Sequence, residues 1–441
     1  MGQTMTENHF DVFIIGGGQA GIPLAGALAK AGRRVALAER KYLGGSCINF
    51  GCTPTKAAIA SARVAHLARR AKDYGLRIPT VEVDFPGVIE RARRIAENSR
   101  NGLAGVFGEN PELIRAHARL TGRSGSGFAI TAGDRSIIAD QVVLDTGTRS
   151  SIPTIDGLDR IDYLRAENWL YHTDLPEHLA LIGGGYVGLE MGQFYRRMGS
   201  RVTIWQQGPR IAPREDEDVS TAMQKLLERE GIEFRLNTQP RSVAELGATH
   251  VFIGTGRTPN TDDLGLETVG VETNRGIVKV DKRLATTVPG IWAAGDIRGG
   301  LMSTHTSWDD YRILKSQMIG DGSRTTDRVV PYAMFTDPEL GRVGMTEKEA
   351  RDQGRKIQVT RFDMSKNGKA TEIGETDGFI KVVLDEDTGK ILGAAVLAAE
   401  GGELVHMYID IMNADAPASV IQDAVHIHPT LAEAVQSAVT L

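Results

Sequence analysis

One glycine signature occurs twice in this chain, each time in the same setting. The apolar run Asp11-Val12-Phe13-Ile14-Ile15 leads into Gly16-Gly17-Gly18-Gln19-Ala20-Gly21, a G-x-G-x-x-G. A helical stretch from Ile22 to Ala31 follows, then a strand-like run from Arg34 to Ala38 that ends at Glu39. The second copy starts from Leu179-Ala180-Leu181-Ile182 and turns through Gly183-Gly184-Gly185-Tyr186-Val187-Gly188. Its next strand, Arg201 to Trp205, ends at Gln206, which lies as far beyond Gly185 as Glu39 lies beyond Gly18. A strand, glycine turn, helix and strand in register form the unit that lays a dinucleotide pyrophosphate against a helix N-terminus. Its terminal acid accepts a hydrogen bond from the ribose. The predicted fold is therefore α/β, with two Rossmann-like three-layer dinucleotide-binding domains.

The cysteines add chemistry. The chain has only two, Cys47 and Cys52, both inside the glycine-rich stretch Gly44-Gly45-Ser46-Cys47-Ile48-Asn49-Phe50-Gly51-Cys52-Thr53-Pro54-Thr55-Lys56. Residues five apart in a regular helix are separated by a rise of about 7.5 Å and face different ways. A disulfide needs Cα atoms closer than that. The segment must therefore depart from regular helix, and Gly44, Gly45 and Gly51 allow it to. Thr53-Pro54 reads as N-cap and first residue of a helix running to about Lys72. That places Cys52 at a helix N-terminus, where a thiolate is favoured, with Lys56 adding positive charge one turn on. The pair reads as a redox dithiol. With one flavin dinucleotide site and one nicotinamide dinucleotide site it forms an electron route from nicotinamide through flavin to sulfur.

Composition narrows the classes. The formal charge is −5 with 51 glycines, which gives no signature of nucleic-acid or anionic-membrane binding. No apolar run approaches the roughly 18 residues of a membrane span. The first ten residues are polar and lack a secretory core, and a formal acylation pattern over Met1–Thr6 reads as coincidence. Reducible thiols without an export signal point to the cytoplasm. Nothing suggests a metal site.

Five separated motifs carry a resemblance: the first glycine loop, Gly44–Lys56, the second glycine loop through Glu190, Gly295-Asp296, and His426-Ile427-His428-Pro429-Thr430-Leu431-Ala432-Glu433. Together they resemble the class I pyridine nucleotide-disulfide oxidoreductase family, which includes lipoamide dehydrogenase, glutathione reductase and mercuric reductase. Cys52-Thr53-Pro54-Thr55-Lys56 and Thr304 to Arg312 are most similar to mercuric-reductase-like flavoproteins. The resemblance implies residues 1–150 as an FAD-binding domain carrying the dithiol, 151–260 as an NAD(P)-binding domain, 261–330 as the return segment of the FAD domain, and 331–441 as an α+β dimerisation domain.

It also implies roles. Cys52 would face the flavin and Cys47 would attack substrate. His428 would act as acid–base toward the partner's dithiol, oriented by Glu433, in a homodimer with shared active sites. Lys56 and Glu190 match a pair beside the flavin, readable either as catalytic or as a structural ion pair. Gly16, Gly18, Gly21, Glu39, Arg40, Gly45, Ser46, Lys56, Ala118, Thr146, Gly147, Asp296, Thr304 and His305 would bind FAD. A helix starting near Thr304 would aim its positive end at the flavin. Gly183, Gly185, Tyr186, Gly188, Gln206, Arg210 and Gly256 would hold NAD(P).

Some features depart from the family. Between Gly231-Ile232-Glu233-Phe234 and Val251-Phe252-Ile253 there is too little chain for the usual three-stranded excursion, so the second nucleotide domain reads as shortened. Gln206 stands where NAD sites carry an acid, and Arg210 or Arg214 could meet a 2′-phosphate, which favours NADPH over NADH. No cysteine pair occurs at the C-terminus and no metal-binding domain precedes residue 11, so mercuric ion reduction is not expected. The reading is an FAD-dependent NAD(P)H oxidoreductase working through Cys47 and Cys52 on a small disulfide, quinone or metal ion. The alternatives are dihydrolipoamide dehydrogenase and, from another class, a flavin-binding redox sensor or structural dimer.

Overall fold

The computed structural model describes residues 8–440. The acylation reading over Met1–Thr6, and most of the stretch read for a leader, fall on residues outside that range. The apolar run before the first glycine loop forms the strand His9–Ile15 at the centre of a seven-stranded sheet. It pairs in parallel with Val35–Ala38 and Arg135–Leu144. Glu112–Ile114 extends one edge, and Ile291–Ala293 pairs in parallel with the end of Arg135–Leu144. Gly127–Ala132 and Ala118–Ser124 complete an antiparallel excursion on the other side. The central strand is buried on both faces. Phe13 and Ile15 pack with Val142, Leu144 and Ile291. Val12 and Ile14 pack with Leu24 and Leu28 of the helix Gly21–Lys30 and with Ile313 and Leu314 of the helix Thr304–Ile319. Double burial is why the strand is continuously apolar rather than alternating.

The second sheet is all parallel, in the order Ile232–Arg235, Arg201–Trp205, His178–Ile182, His250–Ile253, Leu164–Arg165. Its return from Ile232–Arg235 to His250–Ile253 passes only the short turn Val243–Leu246. No counterpart of the antiparallel excursion occurs there among the described residues. A third, antiparallel sheet runs Pro331–Met334, Glu339–Gly344, Ile391–Ala398, Phe379–Asp385, Ile357–Asp363. The helices His406–Asn413 and Ala432–Val439 cover it through Tyr408 and Val435 against Val382 and Val396. The expected α/β class with an α+β C-terminal unit is the observed one. Before these helices the chain makes a separate short one, with Gly401–Leu404 ending before His406–Asn413.

The helix after the dithiol begins earlier than the sequence suggests. It spans Cys52–Arg69 with Gly51 as N-cap, rather than starting at Pro54 from a Thr53 cap. The reason is local. The short helix Gly45–Asn49 closes when the N–H groups of Phe50 and Gly51 both donate to the Ser46 carbonyl, at 3.1 and 2.6 Å. A Cβ at Gly51 would lie 2.8 Å from that oxygen, so only glycine lets the chain break there and restart at once.

Candidate active site

Three helices, Gly21–Lys30, Cys52–Arg69 and Thr304–Ile319, begin at one cleft of about 1000 Å³. Their N-terminal dipoles make the cleft suited to anions and to thiolate. It is lined by Gly16, Gly18, Glu39, Arg40, Gly45, Ser46, Cys47, Cys52, Lys56, Ala118, Thr146, Gly147, Tyr186, Glu190, Asp296 and Thr304, all singled out by sequence.

The first glycine loop is shaped by close approach. Gly16 has φ +108, and a Cβ on it would sit 2.2 Å from the Asp145 carbonyl. Gly21 would clash with the Gly16 carbonyl at 2.5 Å. Glu39 accepts the N–H of Gly17 at 2.9 Å and of Lys41 at 2.7 Å, fixing its carboxylate beside the loop. These features fit a flavin dinucleotide: an unobstructed backbone for the diphosphate and an anchored acid at the ribose position.

Cys47 lies on the short helix Gly45–Asn49 and Cys52 opens the next one, and both are free thiols. The Cys47 thiol donates to the Cys52 sulfur. That hydrogen bond holds the Cys52 pKa down to about 6 against the cost of burial, with help from Thr304 and Lys56. The same bond, with burial, drives the Cys47 pKa upward. The Cys52 Sγ lies 3.3 Å from Thr304 Oγ1. One turn into the helix, Lys56 Nζ donates to Glu190 Oε2 at 2.8 Å and lies 4.6 Å from the centre of the Phe335 ring. Burial opposes the ammonium, but the Glu190 carboxylate outweighs it and the Lys56 pKa is raised. Glu190 Oε1 accepts the Phe335 N–H at 2.9 Å.

Asp296 accepts from Thr148 Oγ1 at 2.9 Å, and Arg257 holds the Thr148 hydroxyl and carbonyl at 2.6 and 2.9 Å. Behind it, buried Asp310 accepts the Gly295 N–H and is clamped by Arg298 and Arg328. Sequence reasoning missed Thr148, Arg257 and Asp310. Only Asp310 lies within one of the motifs, and its role depends on two arginines outside that motif, Arg298 before it and Arg328 after it. His305 does not join the cleft, because its Nε2 pairs with the Pro331 carbonyl at 2.7 Å.

The second glycine loop repeats the geometry. Gly183 has φ +111 with the Gly254 carbonyl 2.4 Å from its absent Cβ, and Gly188 packs against the Gly183 carbonyl. Gln206 Oε1 accepts the Gly184 N–H at 2.9 Å, the same bond Glu39 makes with Gly17. Gly185 and Gly256 face open space. The segment carrying Arg210 and Arg214 folds back onto this loop through Ala212 N–H to the Gly184 carbonyl at 2.8 Å. Buried Glu215 anchors it, paired with Arg342 at 3.0 Å and accepting Tyr332 Oη at 2.5 Å. Arg210 lies 3.9 Å from Glu217 and Arg214 is exposed. Tyr186 opens the helix Tyr186–Met198 and faces the dithiol cleft, so the two nucleotide folds meet there.

His428 and Glu433 lie apart from that cleft. His428 Nδ1 pairs with Glu433 Oε1 at 3.0 Å, and Glu433 Oε2 accepts the Thr430 N–H at 2.9 Å. The Thr430 bond, then His428, lowers the Glu433 pKa. The imidazole is 77% exposed, and nearby Ile427 and Val425 are 78% and 100% exposed.

Residues 10–310 match the family described as pyridine nucleotide-disulphide oxidoreductase, and residues 330–439 match its dimerisation domain. The probable pyridine nucleotide-disulfide oxidoreductase RclA of Escherichia coli (strain K12) is 33% identical over 455 aligned positions, covering 98% of this chain and 99% of that protein. The dihydrolipoyl dehydrogenase of Chlorobaculum tepidum is 32% identical, covering 98% of this chain and 96% of that one. The solved HOCl-induced flavoprotein disulfide reductase RclA of Escherichia coli superposes with a TM-score of 0.88 over 97% of this chain and 99% of that chain, at 33% identity.

Proposed function

The chain belongs to the pyridine nucleotide-disulfide oxidoreductase family and is an NAD(P)H-dependent flavoprotein disulfide oxidoreductase, and from that premise we propose that it works through Cys47 and Cys52, with NADPH as preferred donor. FAD, when bound, relays two electrons between nicotinamide and dithiol. The chain's own part begins with the oxidised pair. The Cys47–Cys52 bond takes up two electrons and one proton, leaving Cys52 as thiolate and Cys47 as thiol. The observation that carries this reading is the setting of Cys52, which opens a helix, lies 3.3 Å from Thr304 Oγ1 and has Lys56 one turn on, an arrangement that favours its thiolate. With a disulfide as acceptor, Cys47, on the opposite side of the break at Gly51, attacks one sulfur and expels the first thiol, and the Cys52 thiolate then attacks Cys47, expels the second and restores the Cys47–Cys52 bond.

The partner subunit completes the site. The His428–Glu433 pair sits on an exposed apolar segment and does not line the dithiol cleft of its own chain. Across a dimer its imidazole would take the Cys47 proton and return it to the departing thiol, with Glu433 fixing the tautomer. The acceptor class is a small disulfide, a quinone or a metal ion; one solved structure of the Escherichia coli relative is a Cu(II) complex. The cytoplasm fits reducible thiols, and no helix among the described residues is long and apolar enough to cross a membrane.

Dihydrolipoamide oxidation is the second reading, supported by similarity to dihydrolipoyl dehydrogenases. Anaerobic mixing of the holoenzyme with NADPH or NADH, followed by thiol counting, tests both. Faster reduction by NADPH with the appearance of two thiols per chain supports the proposal. Faster exchange with NADH, driven backwards by dihydrolipoamide, favours the second reading. No reduction by either nucleotide returns the protein to the class of flavin-binding sensors.

A further inference from the structure

The residue at the end of the strand Arg135–Leu144 differs between the two nucleotide folds. In the second it is Gly254, whose N–H bonds the Ile182 carbonyl at 2.8 Å. In the first it is Asp145, whose N–H bonds the Ile15 carbonyl at the same distance. A Cβ at Gly254 would point toward the Gly188 amide, 3.5 Å away, and meets no clash. The first fold fills that direction with a carboxyl. Asp145 is 6% exposed, and its Oδ2 accepts the Gly21 N–H at 2.7 Å at the N-terminus of the helix Gly21–Lys30. The group is wedged between the glycine loop and Gly295: Cβ atoms at Gly18 and Gly295 would lie 2.6 and 2.8 Å from its oxygens. It lines the cleft.

No cation pairs with Asp145 among the described residues. The charges that act on it, Asp296 and Asp310, both disfavour its ionised form, while the Gly21 and Ala20 N–H groups act the other way; Asp310 is itself paired with Arg298 and Arg328. Glu39, on the other side of the loop, is a further acid. A diphosphate on this loop brings another anion to the same helix N-terminus. Two unpaired anions in a buried site repel strongly, and the carboxyl is the one that can take a proton.

Resting on the reading of this loop as the flavin site, we propose that Asp145 is a protonated, neutral acid in the holoenzyme and donates a hydrogen bond to the flavin diphosphate. Oδ2 keeps the Gly21 N–H, and the hydroxyl faces the cleft. Burial, the largest influence on this carboxyl, raises its pKa in the same sense.

The test is FAD release on dilution of the holoenzyme, followed by the recovery of flavin fluorescence. Asp145→Asn is neutral and keeps a donor, so at pH 6 to 7 its FAD affinity should lie within about threefold of wild type. Asp145→Ala loses the bond and should bind roughly tenfold more weakly. Tightening of tenfold or more in Asp145→Asn shows an ionised carboxylate and overturns the proposal. Equal affinity of Asp145→Ala and wild type removes the contact and overturns it too. Should the variants not fold, the infrared spectrum of the wild-type holoenzyme at pH 7.5 decides: absence of a protonated-carboxyl band is fatal. A purified protein that carries no FAD would instead defeat the flavin reading itself.

Discussion

Cys52 Sγ and Thr304 Oγ1 lie 3.3 Å apart, and each residue is the first of its helix. Two helix N-termini from segments 252 residues apart therefore converge on one sulfur. The Thr304 helix is fixed by a capping box between Ser303 and Thr306, so its hydroxyl is presented from a rigid start.

This convergence sets a pH profile. With its pKa lowered to about 6, Cys52 is thiolate above that pH and loses reactivity as pH falls through it. Site-resolved iodoacetamide labelling of the reduced protein should show Cys52 reacting with a midpoint near 6, and Cys47 reacting little at neutral pH. Thr304→Val should raise the Cys52 midpoint by roughly one unit. Cys47→Ala should raise it further, since Cys47 supplies the largest stabilisation. A midpoint unmoved by either change would mean that helix dipoles and Lys56 alone hold the thiolate.

The Lys56–Glu190 pair ties the dithiol helix to the helix Tyr186–Met198 of the second fold. Glu190 is buried, so Lys56→Met leaves a carboxylate with only the Phe335 N–H as partner among the described residues. We expect a stability loss of about 3 kcal/mol, read from denaturant unfolding of the holoenzyme. Lys56→Met combined with Glu190→Leu should recover most of it. If the single change is silent, the pair serves chemistry rather than the fold.

Much of this arrangement was legible in the sequence because it is local. Both glycine loops, the strands before them and the acid or amide after them fall within about 30 residues, a span that fixes geometry through backbone contacts alone. The cleft residues Cys47, Cys52 and Lys56 sit in one motif for the same reason. The start of the dithiol helix was misplaced because Thr53-Pro54 is a good local cap, whereas the break is set by Gly51 folding back on Ser46. Thr148, Arg257 and Asp145 were missed because their meaning is tertiary. Asp145 matters only through the Gly21 amide 124 residues away, and Arg257 only through Thr148 beneath Asp296. His305 shares a motif with Thr304 yet points the other way, a distinction that needs the Pro331 carbonyl to be placed.

The proposed preference for NADPH rests on Gln206 and the segment after it. Its neutral amide occupies the bond that Glu39 makes in the first fold, so a 2′-phosphate meets no carboxylate there. Arg210→Ala with Arg214→Ala should lower kcat/KM for NADPH by roughly tenfold or more and leave NADH within about threefold, as expected for two lost phosphate contacts. Gln206→Glu should shift preference toward NADH. Steady-state kinetics with both nucleotides checks this, and a wild-type preference for NADH contradicts it.

The exposed His428–Glu433 pair leads to the most demanding expectation. The segment Val425–His428 presents two bare apolar side chains and an imidazole to solvent, and its own dithiol cleft does not include it. If it enters a partner's cleft, His428→Gln should slow disulfide turnover by about 10²–10⁴-fold. Hydride delivery from nicotinamide should survive, because it precedes the proton uptake at Cys47. Mixing Cys47→Ser chains with His428→Gln chains separates the possibilities. A heterodimer holds one site with an intact Cys47 facing an intact partner His428, and another with both defects. Remixing through reversible denaturation should therefore restore activity approaching half the wild-type value per heterodimer. A sample that contains heterodimer by native mass spectrometry, yet turns over no faster than its parents, would show that His428 acts within its own subunit or not at all.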